Sequence, residues 1–215
     1  MSEQSVRPRL SVAEAQRLRV NLVRSAGLAA CLGLLMEAIL VVGGEAAATL
    51  RAAFDHGLWP FLVCMAVAVG QAVAGEWPPR AGLFSLVATP SAFLLAKVIQ
   101  KGISVLMDGA ASGGFVTGPL LTEAGLRAIE YAVLAGVLAW LAHRHWAGAL
   151  AHVGAGLAIG VVFGPLIALF LAPDSLVGWI VEELVFPAGC ALVIFASETL
   201  TRLPPEEAGT TAVKT

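Results

Sequence analysis

The sequence predicts an all-α, polytopic integral membrane bundle of six transmembrane helices, and composition and apolar run length carry that prediction. Of 215 residues, 58% are hydrophobic before the 23 glycines are counted and 13% are charged. A soluble domain has about 45–50% apolar residues with glycine included and about 25% charged ones. Apolar runs of the length a bilayer demands, about 20 residues, occur near 26–44, 57–75, 81–106, 122–142, 148–172 and 176–200. Such spans leave room only for short loops and two tails. The expected organisation is a cytoplasmic tail over 1–24, a transmembrane domain over 25–202 and a disordered cytoplasmic tail over 203–215. A net charge of -2 without a basic block excludes a nucleic-acid partner.

Each element follows from its residues. Arg7, Arg9, Arg17, Arg19 and Arg24 precede any apolar run, which fits a retained tail rather than a cleaved signal. Ser11 and Glu14 have capping-box spacing, which predicts an interfacial helix leading into the first span. Span one carries Glu37 past its middle. In span two only His56 titrates near neutrality. Span three holds Pro90 between Thr89 and Ser91, then Lys97 and Lys101 at i and i+4, with Ser104 and Asp108 continuing that face. In span four Glu123, Arg127 and Glu130 are spaced by four and three and so share one stripe. Span five is free of charge between Arg144 and Asp174, and its Gly156, Gly160 and Gly164 form a smooth stripe for a close helix neighbour. Span six carries Glu182 and Glu183 before Pro187. Cys31, Cys64 and Cys190 sit in apolar runs without CxxC spacing and are read as small buried hydrophobes.

Orientation follows from the basic residues. With the N-terminus inside, nine of 13 Lys and Arg residues are cytoplasmic: the five tail arginines, Arg80, Arg144, Arg202 and Lys214. Both termini are therefore expected in the cytoplasm of a bacterial-type inner membrane. Trp59 and Trp179 then start spans at the outer interface, while Trp77, Trp140 and Trp146 end or begin spans at the inner one. Ala26-Gly27-Leu28 aligns with Ala124-Gly125-Leu126, and Pro90 with Pro187, at an offset of about 97 residues. That match suggests a 3+3 inverted repeat with corresponding helix breaks at Pro90 and Pro187, the pattern that marks midplane sites in transporters.

Charge inside a membrane is where function should be sought, because one charged side chain at the bilayer centre costs about 2.5–3.5 kcal/mol on insertion scales. Eight such residues project to the outer half: Glu37, Lys97, Lys101, Glu123, Arg127, Glu130, Glu182 and Glu183. They are expected to meet in one cluster that opens outward. The function this implies is a small transporter or permease component moving an ion or small polar solute through an outer-facing charged cavity. Glu37, Lys97, Lys101, Arg127, Glu130, Glu182 and Glu183 are the expected binding residues, with Glu130 and Glu182 first as carriers. Neighbouring Glu182 and Glu183 point about 100° apart on a helix, so one of the two should face the cluster. The competing expectation is a non-transporting accessory subunit that docks on a larger membrane complex through the glycine stripe of span five. Expected partners are the lipid bilayer, a small ion or solute, and further copies or complex subunits.

No catalytic, metal or cofactor site is expected. His143, His145 and His152 lie around one inner loop and are read as interfacial, and a bis-histidine haem needs two histidines at matched depth on facing helices. Glu182-Glu183-Leu184-Val185-Phe186 resembles the Glu-Glu motif of intramembrane CAAX-type proteases. Those continue with Arg where this chain has Pro187, and they place histidines downstream, whereas no histidine follows Glu183. The glycine-rich stretch 108–119 lacks GxxxxGK[ST] spacing and is read as an outer loop rather than a phosphate loop.

Overall fold

A computed structural model describes residues 12–44, 50–74, 77–108, 117–170 and 175–202. Ser11 of the capping box, the centre of the 108–119 loop and the tail after Leu203 lie outside the described residues, as do the side chains of Glu14, His56, Ser104 and Asp108. Among the described residues there is no strand. The helices are α1 (Val12–Val42), α2 (Leu50–Ala74), α3 (Pro78–Asp108), α4 (Gly118–Ala142), α5 (Ala149–Phe170), the short α6 (Leu176–Ile180) and α7 (Phe186–Arg202). Residues Val181–Val185 form a π turn that joins α6 to α7 in one continuous rod.

Five stretches are long and apolar enough to cross a membrane: Arg19–Val42, Pro78–Ile103, Gly118–Ala142, Ala149–Phe170 and Leu176–Leu200. The sequence predicts six. The second expected span does form α2, but its described apolar part, Gly57–Ala72, is shorter than 18 residues.

Around the bundle α1 touches α2, α2 touches α3, α3 touches α4, α4 touches α5, and the α6–α7 rod closes the ring against α5 and α1. Successive neighbours run antiparallel. On α1 and the rod, Arg24 Nη1 donates to the Leu200 carbonyl at 2.6 Å, Gly189 lies against Leu32, and Gly43 lies against Val177. One end of the bundle, the tail end, therefore holds the start of α1 and the finish of α7; the far end holds Gly43 and Val177. Trp140 and Trp146 meet edge-on at 6.0 Å at the tail end, with the Arg144 guanidinium 4.6 Å from the Trp140 ring centroid. An amphipathic ring with a cation above it is typical of a membrane interface.

Four rings form the middle of the core. Trp59 of α2 meets Phe93 of α3 at 4.8 Å, Tyr131 of α4 at 6.1 Å and Phe186 of α7 at 5.8 Å, while Tyr131 and Phe186 are 5.4 Å apart. Cys64 and Cys190 are buried, as their apolar settings imply, but Cys31 is exposed, because its position on α1 faces away from α2 and the rod.

Prolines and glycines shape the rods. Pro60, Pro90 and Pro165 all lie inside uninterrupted α-helices. The break expected at Pro90 is thus absent: α3 continues through it for 31 residues, as transmembrane helices do when their neighbours satisfy the freed backbone groups. Pro187 differs, because it follows the π turn. The two halves therefore do not share the break that suggested an inverted repeat.

The glycine stripe of α5 faces inward. A Cβ on Gly156 would collide with the Pro187–Ala188 backbone, one on Gly160 with the Glu183 carbonyl, and one on Gly164 with Glu183 Cβ at 2.9 Å. The stripe is covered by the chain's own rod, so it is not the exposed groove that the accessory-subunit expectation requires. Gly160→Ala is expected to destabilise the protein by about 1–3 kcal/mol through overpacking. Gly154→Ala on the same helix, where a Cβ meets nothing within 4 Å, should be near neutral. Thermal unfolding of both variants in detergent, followed by tryptophan fluorescence, checks the contrast, and equal shifts would refute it.

Candidate functional site

The site is built from one stripe of α4 and one turn of the rod. Thr117 precedes α4 in extended conformation and proline follows in the first turn, where its missing N–H costs nothing. From that start the inward face runs through Ala124, Arg127, Ala128, Glu130 and Tyr131. The rod begins at Ser175, whose Oγ accepts the Gly178 N–H at 2.9 Å. Five residues before Phe186 the ladder widens: the Phe186 N–H bonds to the Val181 carbonyl. The cause is local. Pro187 has no N–H to offer the Glu183 carbonyl four residues back, and Gly160 brings α5 directly onto that carbonyl. A π turn inserts an extra residue into the helix, and this one presents Glu183 to α4.

Arg127 lies between two carboxylates. Its Nη2 donates to Glu183 Oε1 at 2.6 Å and its Nη1 to Glu183 Oε2 at 2.9 Å, a two-point fork, and Nη1 also donates to Glu130 Oε2 at 3.0 Å. Bidentate pairing of this kind is the strongest arrangement available to a guanidinium. All three residues are buried, Arg127 and Glu183 at 2% exposure and Glu130 at 0%. Glu182 points away: its side chain is 55% exposed and only grazes Nη2 at 3.7 Å, beyond hydrogen-bond range. Arg127 Nε and Glu130 Oε1 are buried with no hydrogen-bond partner among the described residues.

The remaining predicted residues surround this triad at different depths. Glu123 interacts electrostatically with Lys97, Arg127 and Glu182, so α3, α4 and the rod share one field. Lys97 Nζ lies 5.3 Å from the Phe93 ring centroid. Lys101 is half-buried one turn farther along α3. Glu37 is buried on α1. The antiparallel register of Gly189 against Leu32 and Gly43 against Val177 sets Glu37 level with the π turn.

Arg127, Glu130 and Glu183 are covered by α5 through its glycines and, toward the tail end, by Tyr131 and Phe186 of the aromatic layer, while the far-end segments 45–49, 109–116 and 171–174, where the expected outward opening would lie, are outside the described residues. Glu182, exposed, and Glu123, half-buried, stand at the edge of the triad. The sequence places Trp59 in the outer interfacial belt, but the structure buries it in this layer against Phe93, Tyr131 and Phe186, because the rings that surround it come from separate helices that no local pattern brings together. The π turn, by contrast, had a signal: a proline four residues after a carboxylate-bearing position in an otherwise uniform span.

The histidines do not assemble. His143 and His145 are exposed, while His152 is buried with its ring centroid 4.9 Å from that of Phe195 and its Nδ1 3.0 Å from the Gly148 carbonyl. No group of three His, Cys, Asp or Glu side chains placed to hold a metal occurs among the described residues. Comparison with protein families, curated proteins and solved structures finds no match to this chain.

Proposed function

We propose that the chain is a small transporter or permease component with six membrane crossings and both termini in the cytoplasm of a bacterial-type inner membrane, and that it carries a proton or a small cation at Arg127, Glu130 and Glu183. One observation carries the reading: two buried carboxylates share a single guanidinium. With both ionised, the triad holds one negative charge in excess, and a charge in the hydrocarbon region is expensive. A proton or a monovalent cation removes that excess. Glu183, held at both oxygens, is the fixed anion. Glu130 uses one oxygen for Arg127 and leaves the other buried without a hydrogen-bond partner among the described residues, so Glu130 is the group that takes and gives up the proton. Glu182, exposed beside the triad, replaces its expected carrier role with that of an entry group on the outer side, and Lys97 and Lys101 are counter-charges along the same route.

The experiment is flux in proteoliposomes under an imposed pH gradient, read by an enclosed pH dye. Glu130→Gln keeps the shape and one acceptor oxygen but cannot titrate. It is expected to elute as the folded wild type does and to lose at least tenfold in gradient-driven proton movement, with a smaller loss for Glu182→Gln. Unchanged flux in both variants would sink the proposal. A second reading, an accessory subunit without transport, is favoured by the burial of all three triad residues; it requires wild-type vesicles to show no flux above empty ones.

A further inference from the structure

Cys64 and Cys190 come from different helices, α2 and α7, yet their thiols meet in a hydrogen bond. Cys64 follows Trp59 by five residues and Cys190 follows Phe186 by four. Both helices run toward the tail end, so the pair sits next to the aromatic layer on its tail side. Both residues are fully buried within the apolar core. Packing as small hydrophobes accounts for that burial, but it gives no reason for two sulfurs side by side.

A third group points to what the pair holds. Tyr131 of the same layer is fully buried, its hydroxyl has no hydrogen-bond partner among the described residues, and it interacts electrostatically with both thiols. A phenolic O–H left without an acceptor in an apolar core costs free energy, and a thiolate sulfur beside it would accept that bond. The metal-ligating set ends at the two sulfurs: no group of three His, Cys, Asp or Glu side chains placed to hold a metal occurs among the described residues. Structural zinc takes four protein ligands and catalytic zinc three, so this pair does not suit zinc. Soft sulfur ligands select soft ions, and a monovalent d10 ion such as Cu(I) or Ag(I) binds two sulfurs in near-linear geometry.

We infer that Cys64 and Cys190 form a two-coordinate site for a soft monovalent cation of the Cu(I) or Ag(I) class. On binding, one S–H bond breaks and a sulfur–metal bond forms to the resulting thiolate. The second thiol gives a sulfur lone pair to the metal, and the released proton leaves the protein. One positive charge enters as one departs, so the site stays neutral in an interior where a net charge is costly. Tyr131 then donates its hydroxyl proton to the thiolate and so positions it. The assignment rests on the thiol pair and stands whether or not Glu130 carries protons.

Titration of the full-length protein in detergent with silver nitrate, in halide-free buffer, tests it. The background is Cys31→Ser, because Cys31 is exposed and would bind the ion by itself. Ultraviolet sulfur-to-silver charge-transfer absorption follows binding, and an indicator dye in weak buffer counts protons. One silver ion per chain with release of one proton is expected, at least tenfold tighter than binding of zinc nitrate or sodium nitrate. Cys64→Ala and Cys190→Ala should each weaken silver binding at least tenfold, with Cys64→Val and Cys190→Val deciding for any alanine variant that does not elute as folded protein. Tyr131→Phe should keep the one-to-one stoichiometry and bind severalfold more weakly. The inference is overturned by no saturable binding to the folded background protein, by unchanged affinity in the variants at either cysteine, by zinc binding as tightly, by binding without proton release, or by a purified chain whose mass shows a disulfide in place of the two thiols.

Discussion

Arg127→Met is expected to destabilise the protein by about 3–5 kcal/mol, the usual result of removing one member of a buried ion pair. The substitution leaves Glu130 and Glu183 facing each other in the interior without a cation, and both carboxyls must then hold protons for the rods to stay together. Arg127→Lys should recover only part of the loss, because a single ammonium cannot reproduce the fork that reaches both Glu183 oxygens at 2.6 and 2.9 Å. Replacing Arg127, Glu130 and Glu183 together by apolar residues of similar volume should be neutral or stabilising, since the desolvation cost of all three charges disappears. Unfolding midpoints in mixed micelles give the comparison. A triple variant less stable than the wild type would mean that the ions add net stability, contrary to this account. A stable triple variant without proton flux would separate the transport role from the structural one.

Phe186→Ala is expected to cost about 3–5 kcal/mol, as large aromatic truncations in cores do. The ring is fully buried and contacts both Trp59 and Tyr131, so α2 and α4 lose a shared neighbour and neither can collapse far into the gap. It also directly follows the π turn, which makes it the packing that holds Glu183 at its depth. Phe186→Leu, which keeps much of the volume, should cost clearly less. Leu176→Ala, at a position 71% exposed, is the control and should change little. Equal unfolding midpoints for Phe186→Ala and Leu176→Ala would contradict the assignment of the aromatic layer as the centre of the fold.

Much of the site was legible in the sequence. Charged residues in apolar spans stand out, and the four- and three-residue spacing of Glu123, Arg127 and Glu130 already set them on one face of α4. That one of Glu182 and Glu183 turns inward follows from the 100° step between helix neighbours, but which one does not. The choice depends on the π turn, whose extra residue changes the angular position of Glu183 relative to an α-helix. The sequence alone puts Glu182 ahead of Glu183 as a carrier, whereas Glu183 is the one that turns inward to Arg127. Pro90 and Pro187 looked equivalent because a proline deletes the same hydrogen bond anywhere. Their outcomes differ through the neighbours: α3 runs on past Pro90, whereas Gly160 presses α5 onto the carbonyl that Pro187 leaves unserved. The cavity that α1, α2 and α7 line at the tail end left no trace in the sequence, since Asn21, Ser25, Gln71 and Ser197 are ordinary polar residues until three helices bring them together.

Composition and run length alone determined that this is a helical, membrane-type chain, because the apolar excess is a property of residues and not of their arrangement. They also determined which helices carry ionisable groups in their apolar stretches. Only the tertiary structure decided that Arg127 serves two carboxylates in a buried interior, that the glycine stripe is covered by the chain's own last helix, and that polar residues of α1, α2 and α7 line a cavity at the tail end. Each of those depends on the register between rods, and register is set by side-chain packing between segments far apart in sequence, which no local pattern encodes.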